Sequence, residues 1–374
     1  GHCVAEGTGF QRQHLLSFIT LQTQCFVHEY KRKAMTEAAL SGTPTVKTER
    51  MGPVGRIRLD RPARLNAVDL EMAEGIARVL EAWRDDADIT LILLDSTSPR
   101  SFCSGGDLRA LSELIRAEGP ETGVAKINRV YRVMRQIAAY SNPIVSLLDG
   151  IAMGGGIGLG GHVSYRVVTE RSVLAMPETS IGITPDAGGS WILSRMPGVS
   201  GLRLALLGER MDGMQAVQNG FADYLIPSDK LPDVVAQLAT QPVEAVLKAH
   251  ARPVPAAPPH PLEACYTAPD LVQVLHNLDD DESEVARQDL DALSRLCPFS
   301  LQVTWAAWHK ARTLASLDDA FVQETTLVGH MMHRPDFVEG VRAKLIDKDN
   351  SPRWQPATPA EVSQEDVARC FRPA

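Results

Sequence analysis

The 374-residue chain has no surplus of positive charge: 46 acidic residues stand against 38 lysines and arginines, a formal net charge of −8. Such a balance repels a phosphate backbone and argues against nucleic acid as a partner. It leaves room for a phosphorylated small ligand, because a few local basic side chains and helix N-termini can hold one. The six cysteines, Cys3, Cys25, Cys103, Cys265, Cys297 and Cys370, include no CxxC pair and no metal-type spacing. Free thiols in a reducing, cytoplasmic compartment are the expectation. His162, His330 and His333 also lack spacing partners, so no metal is expected. No stretch reaches the roughly 20 apolar residues that span a bilayer. The best N-terminal run, residues 15–27, is broken by Gln22, Thr23 and Gln24, and no small-residue cleavage site accompanies it. Membrane association is therefore not expected, and no internal repeat points to a solenoid.

What is present is a strand–turn–helix rhythm. Residues 1–34 connect to no later pattern and read as a tag, leader or upstream extension, with Met35 a natural start. Thr45–Arg50 and Val54–Leu59 alternate apolar and polar side chains across a Gly-Pro turn, a hairpin pattern. Asp69 precedes Met72, Ile76, Val79, Leu80 and Trp83 at helical spacing, which predicts a capped helix. Ile89–Leu94 and Pro143–Leu148 read as buried strands, and residues 108–140 as helix interrupted near Gly119-Pro120. Tyr165–Thr169 and Val173–Ala175 are further strands. The expected organisation is a core over 35–250, a Pro- and Ala-rich connector over 251–270 and a helical region over 271–374. Asp279-Asp280-Asp281 reads as an acidic helix start within that last region. Alternation of this kind predicts an α/β fold with functional residues on the turns at strand ends.

Two glycine-rich turns follow apolar runs, Gly105-Gly106-Asp107 and Gly154-Gly155-Gly156. Without a Cβ, backbone N–H groups there can approach a ligand oxygen closely. Two N–H groups aimed at one carbonyl would make an oxyanion hole. Each turn alone fits an ordinary strand-to-helix connection equally well. Gly156, Gly158 and Gly161 match G-x-G-x-x-G, but without the strand–turn–helix context of a dinucleotide site. Cys103 has no histidine near it in sequence and reads as a packing residue, and Asp107 as the cap of a helix beginning at Leu108.

The combination of Leu59-Asp60-Arg61-Pro62, Leu65-Asn66-Ala67, Phe102 to Asp107, Met153 to Gly156 and Met176-Pro177-Glu178-Thr179 resembles the enoyl-CoA hydratase/isomerase, or crotonase, family. That resemblance implies a spiral of ββα units, an oxyanion hole made by the N–H groups of Gly106 and Gly155, and an acyl-CoA substrate. It also implies coenzyme A contacts from Arg64, Leu65, Asn66 and Ala67 together with Phe102 and Ser104. Coenzyme A enters as part of the substrate, and no separate cofactor is implied. Hydratases of the family use two glutamates; here the first position is Gly158 and Glu178 alone remains. Asp186, eight residues on, with Leu345–Pro352 and Trp354 resembles the family's 3-hydroxyisobutyryl-CoA hydrolase branch, and Arg334–Ala343 is similar to a tail signature of the family as a whole. The expected activity is hydrolysis of a short β-hydroxyacyl-CoA thioester, with Glu178 and Asp186 catalytic and an enoyl-CoA isomerase or hydratase the alternative. Where the branch carries an acidic residue, this chain reads Asn128-Arg129-Val130-Tyr131. The long tail implies a monomer or small homo-oligomer.

Overall fold

Val46–Met51 (β1) and Val54–Leu59 (β2) form the antiparallel hairpin that their alternating side chains predict. This computed structural model describes residues 43–373. The expectations for residues 1–34 and Met35, with Cys3 and Cys25, lie outside the described residues. After the hairpin, the Asp69 side chain accepts from Met72 N at 2.9 Å and caps α1 (Leu70–Arg84). The five apolar residues read at helical spacing are buried on one face of α1, which is how an amphipathic helix meets a core.

The chain then climbs as a spiral. β3 (Leu91–Ser96) precedes β4 (Ser101–Cys103), and α2 (Leu108–Glu118) with α3 (Pro120–Ala138) leads to β5 (Ile144–Leu148) and β6 (Ile151–Met153). Gly119, at φ 94°, separates α2 from α3 where the Gly-Pro step predicts the break. The short α4 (Gly155–Gly160) connects β6 to β7 (Tyr165–Val168) and β8 (Val173–Ala175). A 3₁₀ turn (Glu178–Ile181), α5 (Gly189–Leu193), α6 (Ser200–Leu207), β9 (Met211–Asp212), α7 (Gly213–Gln218) and β10 (Tyr224–Leu225) close the spiral, followed by α8 (Leu231–Leu238) and α9 (Val243–His250). From β3 to β8 successive strands alternate between two sheets, ordered β1-β2-β3-β5-β7-β10 and β4-β6-β8-β9. Parallel pairing of β2, β3, β5 and β7 requires crossovers, which the helices provide. β5 is buried along its whole length, as a strand covered on both faces must be.

Residues 253–260 hold no helix or strand. The helices beyond are α10 (Glu263–Tyr266), α11 (Leu271–Asp280), α12 (Glu284–Ser294), α13 (Pro298–Ala311), α14 (Leu317–Met332), α15 (Pro335–Val341) and α16 (Gln364–Arg369). Asp279-Asp280-Asp281 does not start a helix, which corrects the sequence reading. Asp279 and Asp280 end α11, while Asp281 is extended and accepts from Ser283 N at 2.8 Å. The cap of α12 is Ser283.

One apolar cluster joins α1 and α3 to Leu271, Trp305 and Phe321, so the core runs across the Pro-rich stretch. A second packs Leu111, Ile181 and Ile183 against Phe299, Leu327 and Phe337. The C-terminal helices thus support the loop that follows Glu178. No helix among the described residues is long and apolar enough to cross a membrane.

Candidate active site

The two glycine turns meet. Val68 bridges Gly106 in parallel: Val68 N donates to Gly105 O at 2.7 Å and Asp107 N to Val68 O at 3.0 Å. In such a bridge the N–H of Gly106 itself points away from Val68. Gly155 is the first residue of α4, where a backbone N–H has no partner within the helix. A Cβ on Gly155 would lie 3.3 Å from Gly106 N, so the two N–H groups are neighbours and a side chain there would crowd the space before them. The same turn explains the G-x-G-x-x-G match by packing: a Cβ on Gly156 would fall 2.2 Å from Cys103 O. Cys103 is fully buried, and burial pushes its thiol up to about 12, leaving it an inert packing residue.

Glu178 opens the 3₁₀ turn after β8, and its Oε1 lies 2.7 Å from where a Cβ on Gly154 would stand. The side chain is buried, and Oε2 has no hydrogen-bond partner among the described residues. An orphaned carboxylate oxygen in a cavity is an oxygen available to a substrate. Burial, then repulsion from the Asp186 charge, raises the Glu178 carboxyl well above its usual range. Burial also pushes Asp186 up to about 6, against the pull of a hydrogen bond donated to Oδ2 by the Tyr131 hydroxyl.

Gly158 faces the same space from α4. A Cβ there would meet Met134 Sδ at 2.5 Å and the Ala187 Cβ at 2.7 Å. The position of the hydratases' first glutamate is therefore filled by Met134 and by the turn after Asp186. Asp186 does not cap α5; the N-cap is Gly188. That turn holds Ala187 at φ 55° and Gly188 at φ 78°. A left-handed alanine costs about 1 kcal/mol or more, so the surroundings must impose it.

Two residues that sequence reasoning missed do so. The Glu324 carboxylate of α14 accepts from Gly188 N at 2.6 Å, from Ser190 N at 2.9 Å and from the Ser190 hydroxyl. Burial pushes Glu324 up to about 8, against those bonds. His162 Nε2 meets Ala187 O at 2.8 Å, and burial lowers the ring to about 4, which makes it a neutral imidazole donating from Nε2. The signal for Glu324 was present: it shares a helix face with Ala320, Phe321, Leu327, Val328 and Met331, all buried. Tyr131 was noted as a departure from an acidic pattern, but nothing local indicates its bond to Asp186.

A cavity of about 110 Å³ collects these groups, lined by both glycine turns, Tyr131, Glu178 and Asp186, with Lys126 beside apolar side chains of α3. Of the expected coenzyme A residues, Ser104 lines it. Arg64 is exposed and Leu65 and Ala67 are half-buried in the adjoining loop, which is tied to β4 by Ser104 N donating to Leu65 O at 3.0 Å. Asn66 and Phe102 are fully buried. The Asn66 amide donates to Phe102 O at 3.0 Å and to Ser96 Oγ at 2.6 Å, while its Oδ1 accepts from Arg61 N at 2.7 Å. Both side chains are therefore spent shaping the loop that is expected to lie along coenzyme A. Asp107 caps α2 and accepts from Arg61 at 3.0 Å, a structural part as expected.

The family model that matches residues 54–371 is described as enoyl-CoA hydratase/isomerase. The chain is 36% identical to a mitochondrial 3-hydroxyisobutyryl-CoA hydrolase of Gallus gallus, covering 88% of this chain and 89% of the relative. Identity to the corresponding Homo sapiens protein is 32%, over 94% and 93% of the two chains. Among solved structures, one described as a carnitinyl-CoA dehydratase from Mycobacterium thermoresistibile superposes with a TM-score of 0.82 at 36% identity, covering 89% of this chain and 97% of that one. Another, described as an enoyl-CoA hydratase from Rhodobacter sphaeroides 2.4.1, gives 0.80 at 36% identity, over 88% and 97%.

Proposed function

The chain belongs to the enoyl-CoA hydratase/isomerase family, and from that membership we propose that it hydrolyses the thioester of a short β-hydroxyacyl-CoA, 3-hydroxyisobutyryl-CoA first. The observation that carries the reading is the crowding at Gly158: where a hydratase needs its first glutamate, Met134 and Ala187 occupy the space. The relatives named as 3-hydroxyisobutyryl-CoA hydrolases support the same substrate.

In this reading the thioester oxygen accepts from the N–H groups of Gly106 and Gly155, which stabilise the oxyanion as it forms. Glu178 in its ionised form acts on the carbonyl carbon. It either attacks directly, giving a mixed anhydride that water then cleaves, or takes a proton from the attacking water. By either route the C–S bond breaks, coenzyme A leaves as the thiol after gaining a proton, and the hydroxy acid departs. Asp186, with Tyr131 donating to one of its oxygens, binds the substrate hydroxyl through the other. The loop of Arg64, Leu65 and Ala67, with Ser104, holds the coenzyme A portion, and Asn66 and Phe102 shape that loop. No further cofactor enters this chemistry. Support of the site by the chain's own C-terminal helices fits a monomer or small homo-oligomer. Free, buried Cys103, Cys265, Cys297 and Cys370 fit a reducing compartment; the relatives are named mitochondrial, and fractionation separates that location from the cytoplasm.

The dehydratase and hydratase descriptions of the two superposing structures favour a second reading, reversible hydration of an enoyl-CoA. A panel of acyl-CoAs, followed for free thiol and for double-bond absorbance, separates the two. Hydrolysis predicts thiol release from β-hydroxyacyl-CoAs at a rate that falls with Glu178→Gln. Hydration without thiol would overturn it.

A further inference from the structure

Glu324 is more completely buried than any other carboxylate among the described residues, and the mechanism gives it no step. Apart from the catalytic pair Glu178 and Asp186, the other buried acids meet arginines: Asp95 pairs with Arg56, Asp289 with Arg203 and Asp336 with Arg334. Glu324 has no ion pair among the described residues; its hydrogen bonds all go to the turn after Asp186, at Gly188 N, Ser190 N and the Ser190 hydroxyl. Burying an unpaired carboxylate is unfavourable, so its retention calls for a local purpose. We propose that Glu324 is a positioning residue: it fixes the turn over residues 185–190 and thereby aims the Asp186 carboxylate, which makes α14 part of the active site.

The geometry leaves little else for it to do. The left-handed pair Ala187 and Gly188 reverses the chain just after Asp186. That reversal turns the N–H groups of Gly188 and Ser190 toward α14, where one carboxylate receives both, an oxygen each. His162 Nε2 also holds the turn, at Ala187 O. With Tyr131 on the Asp186 oxygen, the carboxylate is gripped at its tip and along its backbone. The titratable groups that interact with the Glu324 charge are Tyr131 from α3, Glu178 and Asp186 itself, while His162 packs against Phe321 of α14. The inference rests on the hydrolase reading, in which Asp186 contacts the substrate.

Glu324→Gln tests it above about pH 8, where Glu324 is ionised, because an amide can accept at one position only and one N–H of the turn loses its partner. The expected result is a fall in kcat of ~10- to 100-fold, the scale of a small misplacement of a reacting group, with KM little changed. In an Asp186→Asn background the same substitution should cost under about twofold, because it acts through Asp186. Amide hydrogen exchange at Gly188 and Ser190 should quicken. Equal losses in both backgrounds, or full kcat with unchanged exchange, overturns the proposal. Should Glu324→Gln fail to fold, Ser190→Ala removes one donor alone and carries the same comparison with a smaller loss. If the wild type cleaves no hydroxyacyl-CoA, the hydrolase reading falls, and the exchange of the two amides still decides whether Glu324 holds the turn.

Discussion

Burial lifts the carboxyls of Glu178 and Asp186 together, and Glu178 also feels the Asp186 charge. A group that must be ionised to attack or to accept a proton gains activity as pH rises through its raised pKa. The rate constant kcat/KM for thioester cleavage should therefore climb with pH above the usual carboxylate range. Asp186→Asn removes the charge that helps to hold Glu178 up, so the climb should move to lower pH even as the maximal rate drops. A pH–rate profile that stays in place in this variant would remove the coupling from the account. Glu178→Gln should cost ~10²–10⁴ in kcat, the range for loss of a general base. Position 158 makes the complementary case. Returning a glutamate there with Gly158→Glu forces Met134 aside and drives into Ala187. Overpacking of this kind typically costs ~1–3 kcal/mol. Urea unfolding should show that loss, and no enoyl-CoA hydration should appear; hydration in a variant of wild-type stability contradicts the steric argument.

Elements transmit that geometry through close backbone contacts. α15 approaches the 3₁₀ turn bearing Glu178 so nearly that a Cβ on Gly340 would lie 2.6 Å from Ile181 Cα. Gly340→Ala must part the two backbones, with an expected loss of ~1–3 kcal/mol and a fall in kcat, since Glu178 moves with its turn. In α14, Gly329 has only Val124 Cγ1 near, at 4.0 Å. Gly329→Ala should instead stabilise by about 0.5–1 kcal/mol, the helical cost of glycine, and leave kcat alone. Denaturation midpoints with steady-state rates for the pair check both signs. The contrast also shows what a sequence can disclose. The hairpin, the Asp69 cap and the break at Gly119 are legible because each is decided by residues a few positions apart. The acidic run at 279–281 misled for the same reason: local preference favours acids at a helix start, whereas here packing ends α11 among them. Glu178 and the glycine turns were visible as motifs, and their neighbours were not. Tyr131 reaches Asp186 across 55 residues and Glu324 reaches Gly188 across 136, contacts that only the folded chain creates.

At the scale of the whole molecule, the site gathers buried carboxyls and sets them against overall stability. Glu178, Asp186 and Glu324 share one interior region, and no ion pair among the described residues reaches any of them. A carboxyl whose folded pKa is raised favours the fold while it keeps its proton. The contribution of Asp186 is full below its usual 3.8 and is lost as pH rises through about 6. For Glu324 the window runs from 4.5 to about 8. Carboxyls held low, such as Asp60 beside Lys47, work in the opposite sense, but they titrate below that range. Buried His162, lowered from 6.5 to about 4, opposes the raised carboxyls at acidic pH, so wild-type stability should decline chiefly between about 6.5 and about 8. Glu324→Gln cannot ionise, so whatever its absolute stability, its decline between about 6 and about 8 should be shallower. Urea midpoints measured across that interval at constant m compare the two slopes directly. A wild type that gains stability with rising pH, or a variant that declines as steeply, would contradict the burial of a proton-holding Glu324. Bound hydroxy acid should raise the midpoints across that interval, since a ligand that binds only the folded chain stabilises it by mass action.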